Sequence, residues 1–155
     1  MVKHLKESLK SYMSKFKYDL GVIGLGYVGL PLAVYSVDAG LKVFGYYVNS
    51  EKVLKLNQGV SPIEDVSDKT LNTSIKSGLI FSDDSSTLRD CEHIVISVPT
   101  PLTDFKPDLS YVISAAQEIA NNAVKGQIII LESTTYPGTT LEVLIPEIQK
   151  ISDLK

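Results

Sequence analysis

Three glycines, spaced as Gly24-x-Gly26-x-x-Gly29, are the residues whose pattern most directly suggests chemistry. A short apolar run precedes them and a helix-patterned segment follows, which is the setting in which such a turn binds a dinucleotide. The first glycine permits a tight turn, the second lets backbone approach a pyrophosphate, and the third allows close packing of helix on strand. The helix N-terminus also offers free N–H groups to the phosphates. We therefore predict a nucleotide site here, with a ligand-free glycine turn as the alternative.

Two further segments place hydroxyl groups and prolines directly after apolar runs. Residues 97–103 read SVPTPLT, and residues 132–138 read ESTTYPG. Ligands of a doubly wound sheet lie beyond the carboxyl ends of its strands, so these loops and the glycine turn should meet at one edge. Their hydroxyls suit a ribose, a nicotinamide amide or a sugar. The alternative is that they hydrogen-bond loop backbone and cap helices.

The elements that must position these segments alternate between strand and helix. Strands are predicted over residues 18–23, 41–48, 79–82, 93–98 and 127–131, the last two being apolar runs typical of strands covered on both faces. Helices are predicted over 28–39, 50–57 (with Ser50 as its cap), 68–77, 109–124 and 139–151, with a helical turn at 85–90 and a loop at 99–108. This order predicts a Rossmann-type α/β fold: a doubly wound, mainly parallel sheet of about six strands with helices on both faces.

Composition narrows the class of protein. The 155 residues are 44% hydrophobic and 21% charged, as expected for one globular domain. A net charge of −3 gives no basic footprint for nucleic acid. There is no apolar run of membrane-spanning length and no secretory signal pattern. Cys91 is the one cysteine, which fits a reducing compartment, so we predict a cytoplasmic protein without a disulfide. No group of residues has metal-ligand spacing, and no metal site is predicted.

Residues 1–17 differ in composition from the rest, with five lysines and one glutamate. Their apolar residues recur at helical spacing, which predicts a basic amphipathic extension ahead of a dinucleotide-binding domain at 18–155. Such a helix would pack on the domain or on a second copy of the chain, as in a homodimer. A helix lying on a membrane surface is the weaker alternative.

Three long motifs resemble a known family. VIGLGYVGLPLA (22–33), VPTPLTDFKPDLSYV (98–112) and ESTTYPGTTLEVLIP (132–146) are similar to the N-terminal domain of UDP-glucose/GDP-mannose dehydrogenases. The similarity is greatest to the branch that acts on UDP-N-acetylhexosamines for surface polysaccharides. It implies oxidation of a sugar C6 alcohol to a carboxylate with two NAD molecules. The alternatives are a non-catalytic fragment that binds nucleotide weakly or not at all, and a β-hydroxyacid-type dehydrogenase, which the second and third motifs disfavour.

The resemblance also implies roles for particular residues. The pyrophosphate turn would comprise the three glycines with Tyr27 and Val28. The nicotinamide half of the cofactor would lie along Pro99, Thr100, Glu132, Ser133 and Thr134. Glu142 matches an acidic position implicated in acid–base or water-positioning work, and Thr100 and Thr103 are the other candidate catalytic residues. Without the resemblance, Glu142 reads as a first-turn glutamate favoured by the helix dipole.

Two departures from the family pattern bear on function. Tyr47 stands where an aspartate would accept hydrogen bonds from the adenosine ribose, and Asn49 replaces a second acid, which leaves the choice between NAD and NADP open. The family's nucleophilic thiol, lysine and asparagine belong to segments beyond Lys155. Cys91, just before a predicted strand and flanked by Asp90 and Glu92, is interpreted as structural. The 155-residue chain alone is therefore predicted to be inactive.

Overall fold

The computed structural model describes residues 15–103 and 106–152, which form an α/β fold on a parallel sheet. The strands are β1 (Tyr18–Ile23), β2 (Val43–Tyr46), β3 (Ile80–Ser82), β4 (Cys91–Ile96), β5 (Leu102–Thr103), β6 (Lys106–Pro107) and β7 (Ile128–Leu131). The α-helices are α1 (Gly29–Asp38), α2 (Ser50–Asn57), α3 (Asp68–Lys76), α4 (Ser110–Asn122) and α5 (Ile145–Ile151). A 3-10 helix spans Ser85–Asp90, and a π-helical turn spans Thr140–Leu144.

The main sheet has five strands in the order β3-β2-β1-β4-β7, and every neighbouring pair is parallel. The predicted fold class is confirmed, but the expected number of about six strands is one too many for the described residues. The two remaining strands, β5 and β6, pair antiparallel in a separate hairpin within the loop that follows β4. They do not extend the sheet.

Helices cover both faces of the sheet's centre, as the sequence predicts. Adjacent strand residues point to opposite faces, and Val22 and Ile23 of β1 are both buried, in two different apolar clusters. The first cluster holds residues of α1, α2 and α3, and the second holds residues of α4 and α5. This double coverage explains why residues 20–23 of β1 and the second half of β4 are runs without polar side chains.

Helices do not cover both faces of β7, which is an edge strand of the sheet. Ile128 and Ile130 are 53% and 39% exposed, whereas Ile129 and Leu131 pack partly against the second cluster. The prediction that β7 is covered on both faces is therefore wrong for the described residues. The exposed face results from where the helices pack. Helix α1 packs on β1 and β2, and α2 packs on β3, so both lie over the half of the sheet away from β7.

Element boundaries shift by two residues in two strands. β2 is shorter than predicted and ends at Tyr46, and β4 covers Cys91–Ile96 rather than residues 93–98. Register explains the second shift, because Cys91 pairs with Tyr18 at the start of β1. The predicted extension at residues 1–17 lies mostly outside the described residues, and residues 15–17 are not helical. No helix in the described ranges is long and apolar enough to cross a bilayer.

Candidate functional site: a dinucleotide crevice

The chain reverses direction across the sheet between β1 and β4. From β1 it proceeds outward to β2 and β3, and it then returns to β4 and β7 on the other side. Such a switch point leaves a crevice at the carboxyl ends of the two central strands. Here the glycine turn leaves β1 and meets the segment leaving β4, where the Ser97 N–H donates to the Ile23 carbonyl over 2.8 Å.

The three glycines have three distinct environments. Gly24 has a φ of +91°, and a Cβ there would lie 2.3 Å from the Ser97 carbonyl oxygen. A Cβ at Gly29 would lie 1.9 Å from the Gly24 carbonyl oxygen, so the helix can pack on the turn only without a side chain. At Gly26 nothing lies within 4 Å of that position. Two glycines are thus required by packing, and the third faces open space of the kind a pyrophosphate needs.

The N-terminus of α1 is suited to an anion. The first N–H groups of a helix have no intrahelical acceptor, and here Val28 provides no side-chain cap. Of the first two helical residues, Leu30 donates its N–H to the Gly26 carbonyl over 3.1 Å. The first turn also contains no acidic residue. Helix α3, by contrast, is capped by Ser67, whose hydroxyl accepts from the Thr70 N–H over 3.1 Å. Tyr27 and Val28 are 69% and 56% exposed beside the open end of α1.

The loops after β4 and β7 are tied together by their hydroxyls. The Ser133 hydroxyl accepts from the Val98 N–H and donates to the Val98 carbonyl, each over 2.9 Å. Thr100 donates its hydroxyl to the Thr134 carbonyl over 2.6 Å, and Glu132 donates its N–H to the Ile96 carbonyl. These bonds give the hydroxyls the backbone-satisfying role that was the alternative prediction. They also bring Pro99, Thr100, Glu132, Ser133 and Thr134 to the edge where the glycine turn lies.

A second part of the crevice lies beside the end of β2. A cavity of about 170 Å³ is lined by side chains and backbone from the glycine turn, Tyr47, α2 and the following loop, namely Leu25, Gly26, Tyr27, Tyr47, Lys52, Leu56, Pro62 and Ile63. Tyr47 therefore lies in the cavity next to Gly26, where the resemblance expects the adenosine ribose.

The structure gives Asn49 and Lys52 contacts that the sequence did not indicate. The Asn49 side chain accepts the Lys52 N–H over 2.9 Å and caps α2, so the cap is Asn49 rather than Ser50. Its predicted contact with cofactor remains a prediction. Lys52 was not among the predicted site residues, although it reaches the Tyr47 hydroxyl over 3.1 Å. A basic residue in the first turn of the helix after β2 is the signal that could have identified it.

The candidate catalytic residues lie at two places. Glu142 is exposed in the π-helical turn, and its N–H donates to the Gly138 carbonyl over 2.9 Å. Its carboxylate lies over Gly138, with Oε1 2.7 Å from where a Cβ of that glycine would be. Thr103 is exposed on β5, opposite Lys106 in the hairpin. The catalytic roles of these residues, and of Thr100, remain predictions.

Cys91 lies at the opposite end of the sheet from these groups. It is the first residue of β4 rather than a residue before the strand, and it is fully buried. A Cβ at Gly21 would lie 2.8 Å from the Cys91 Sγ, so the thiol occupies the space beside that glycine. Burial, with a smaller effect of the Asp90 carboxylate, raises the pKa of Cys91 to about 12. A thiol with this pKa is not a nucleophile at neutral pH.

A larger cavity, of about 580 Å³, is separate from the crevice. It lies between the turn before β7 and the helical segment that contains the π-turn and α5, and its lining includes Val124, Gln127, Thr140 and Ile148. None of the predicted site residues is among those that line it. The part of the chain that the structure describes also contains no group of three or more His, Cys, Asp or Glu residues that could hold a metal ion.

Known proteins are similar to this chain in sequence and in fold. The model of the UDP-glucose/GDP-mannose dehydrogenase family, NAD binding domain, matches residues 18–155. UDP-N-acetyl-D-glucosamine 6-dehydrogenase of Pseudomonas aeruginosa is 38% identical over 139 residues, which are 88% of this chain and 32% of that protein. UDP-N-acetyl-D-mannosamine dehydrogenase of Pyrococcus horikoshii is 39% identical over 123 residues, which are 78% and 29%. The chain thus spans about a third of the length of these relatives.

Solved structures agree with these relatives. NDP-N-acetyl-D-galactosaminuronic acid dehydrogenase of Methanosarcina mazei superposes with a TM-score of 0.84 at 30% identity, covering 97% of this chain and 34% of that one. A ternary complex of GDP-mannose dehydrogenase from Pseudomonas aeruginosa gives 0.81 at 29% identity, covering 88% and 34%. Both superpositions cover at least 88% of the chain, so the similarity extends over most of the fold described above.

Proposed function

The chain belongs to the UDP-glucose/GDP-mannose dehydrogenase family and contains its NAD-binding domain, and on that premise we propose that it takes part in oxidising a nucleotide sugar. The proposed reaction converts the C6 alcohol of a UDP-N-acetylhexosamine or related sugar to a carboxylate, for surface polysaccharide synthesis. The relatives named for UDP-N-acetyl-D-glucosamine and UDP-N-acetyl-D-mannosamine support this substrate class. A non-catalytic fragment that binds nucleotide weakly or not at all is the alternative.

The observation that carries the proposal is the difference among the three glycines. Gly24 and Gly29 are confined by backbone, while Gly26 faces open space next to an uncapped helix N-terminus. A turn that served packing alone would not need a glycine at the middle position. Bound NAD would accept the hydride from the sugar carbon. The chain's own contribution is to hold the pyrophosphate against the N–H groups that begin α1.

The remaining predicted residues divide between positioning and proton transfer. Ser133 and Thr100 fix the shape of the two loops along which the nicotinamide half would lie. Glu142 is the proposed group for taking the alcohol proton as hydride leaves, because its carboxylate is exposed and has no ion-pair partner among the described residues. A reducing, cytoplasmic compartment and pairing with a second copy of the chain belong to the same proposal. They rest on the single cysteine and on the helical spacing of apolar residues in 1–17.

We test cofactor binding by titrating the 155-residue protein with NADH in a calorimeter. Wild-type protein should bind, and Gly26→Val should abolish binding, because the added side chain fills the space of the pyrophosphate. Apart from the two adjoining residues, no atom lies within 4 Å of a Cβ at Gly26, so the substitution should leave the melting temperature nearly unchanged.

The matched control is Ala39→Val, which places the same valine side chain at an exposed position at the far end of α1. It should bind NADH as wild type does. Equal heats from wild type and Gly26→Val would contradict the proposal, as would a wild-type protein that folds and binds no NADH.

A further inference from the structure

The ribose end of the crevice has an unusual charge for a cavity expected to hold NAD. Proteins that select NAD place an Asp or Glu about 20 residues after the glycine turn, on the ribose 2′-hydroxyl. Here Tyr47 occupies that place, and among the described residues none that lines the cavity carries a carboxylate. The one charged side chain in the lining is Lys52. Glu64 follows the lining residue Ile63 in the chain but is itself exposed.

Lys52 is held at this cavity by two interactions. Its Nζ lies 3.1 Å from the Tyr47 hydroxyl oxygen and 5.2 Å from the centre of the Tyr47 ring. Its backbone is fixed by the Asn49 cap at the start of α2. The ammonium and the phenol therefore stand together as two donor groups beside Gly26 and Tyr27.

No carboxylate among the described residues forms a salt bridge with Lys52. Glu51, the next residue on α2, pairs with Lys55 over 2.9 Å. The positive charge at the ribose end is thus available to a ligand.

We propose that Lys52 and Tyr47 form a subsite for a phosphate on the ribose 2′-oxygen, so that the domain binds NADP at least as tightly as NAD. This inference rests on the proposed dinucleotide site and refines its specificity. An aspartate here would repel a 2′-phosphate, and its absence removes that repulsion. The ammonium would instead donate charge-assisted hydrogen bonds to the phosphate oxygens, and the phenol would donate a neutral one.

The experiment compares NADH with NADPH, and adenosine 5′-monophosphate with adenosine 2′,5′-bisphosphate, on the full 155-residue chain. Each pair differs by one phosphate. We expect the 2′-phosphorylated ligand of each pair to bind as tightly as or more tightly than the other. Its affinity should also fall more steeply with added salt, because the extra contact is between charges.

Three variants locate the effect. Lys52→Gln should weaken NADPH binding by about tenfold and NADH binding by less than about threefold, the size expected for loss of one charge-assisted hydrogen bond. Lys52→Arg should retain NADPH binding. Tyr47→Asp should reverse the preference, tightening NADH binding and weakening NADPH binding. The matched control is Lys69→Gln, at an exposed lysine of α3 that does not line the cavity, and it should change neither affinity.

The outcomes separate the two proposals. NADH binding more than about tenfold tighter than NADPH binding would overturn the 2′-phosphate subsite and leave the NAD site standing. Equal loss of both cofactors in Lys52→Gln would also overturn it, since Lys52 would then serve the shared part of the ligand. Binding of neither cofactor by folded wild-type protein would overturn both proposals.

Discussion

Cys91 shows how one residue's environment decides its chemistry. Its thiol fills the space beside Gly21, where a Cβ would lie 2.8 Å from the sulfur, and burial raises the pKa to about 12. Removal of the proton would place a charge in a fully buried site. The thiol therefore stabilises the fold as a small apolar group and takes no part in the crevice.

This pKa predicts a stability change at alkaline pH. The folded thiol keeps its proton up to about pH 12, whereas the unfolded thiol loses it near its ordinary pKa of 9.0. Between these values the native state binds more protons, so stability is fully present below pH 9 and falls as pH rises, by about 1.4 kcal/mol per unit. Urea denaturation at pH 8 to 11 should show a shallower fall for Cys91→Ala than for wild type.

Tyr46 must be considered in the same measurement. Burial, and then the Glu118 carboxylate, also raise the pKa of Tyr46, so some alkaline loss remains in both proteins. The comparison of slopes isolates the thiol, because Tyr46 is unchanged in Cys91→Ala. Identical slopes for the two proteins would show that the thiol ionises as easily folded as unfolded.

Some residue roles could be predicted from the sequence and others could not. The packing roles of Gly24 and Gly29 could be predicted because each follows from backbone geometry that only the missing side chain permits. Asn49 could not be assigned to the cap of α2 from sequence, since a helix cap and a ribose contact both call for a short polar side chain. Lys52 was missed because its importance depends on a cavity that only the folded chain brings together.

At the scale of elements, the contact between α1 and the turn before it depends on Gly29. A Cβ there would lie 1.9 Å from the Gly24 carbonyl oxygen, and backbone cannot move away as a flexible side chain could. Gly29→Ala should therefore lower the free energy of unfolding by at least about 2 kcal/mol, as overpacking does. Gly26→Ala, which meets nothing within 4 Å, should change it by less than about 1 kcal/mol.

Urea denaturation followed by far-UV circular dichroism measures both variants against wild type. The pair is matched, because each adds one methyl group within the same turn. Similar stabilities for Gly29→Ala and Gly26→Ala would contradict the packing role assigned to the third glycine.

Secondary-structure elements were predicted best where the hydrophobic pattern of the sequence matches the burial of the element in the fold. Each predicted strand and α-helix is present in the structure, because apolar runs and helical spacing in the sequence indicate which residues are buried. The start of β4 at Cys91 was missed because register with β1, not hydrophobicity, extends the strand over Glu92. The β5–β6 hairpin was missed because two-residue strands between prolines leave no periodic signal. One face of β7 is exposed because the helices cover other strands, and the sequence of β7 does not indicate where those helices pack.

At the scale of the whole molecule, the site and the chain's one thiol lie at opposite ends of the sheet. The glycine turn and both hydroxyl-bearing loops follow carboxyl ends of strands, whereas Cys91 begins β4. The relatives are about three times as long as this chain, so the proposed reaction need not be performed by these 155 residues alone. Binding and turnover can accordingly be tested separately.

We expect the 155-residue chain to bind cofactor without oxidising a UDP-sugar. Two successive hydride transfers require a thiol that holds the aldehyde between them, and a buried thiol with a pKa of about 12 cannot serve. Glu142, Thr100 and Thr103 remain as candidate participants, but they lack a nucleophile, and positioning accounts for a large share of an enzyme's rate. The measurement is absorbance of the reduced cofactor during incubation with NAD or NADP and a panel of UDP- and GDP-sugars. Steady turnover at two reduced cofactors per sugar, retained in Cys91→Ser, would contradict this expectation and show that these residues suffice for catalysis.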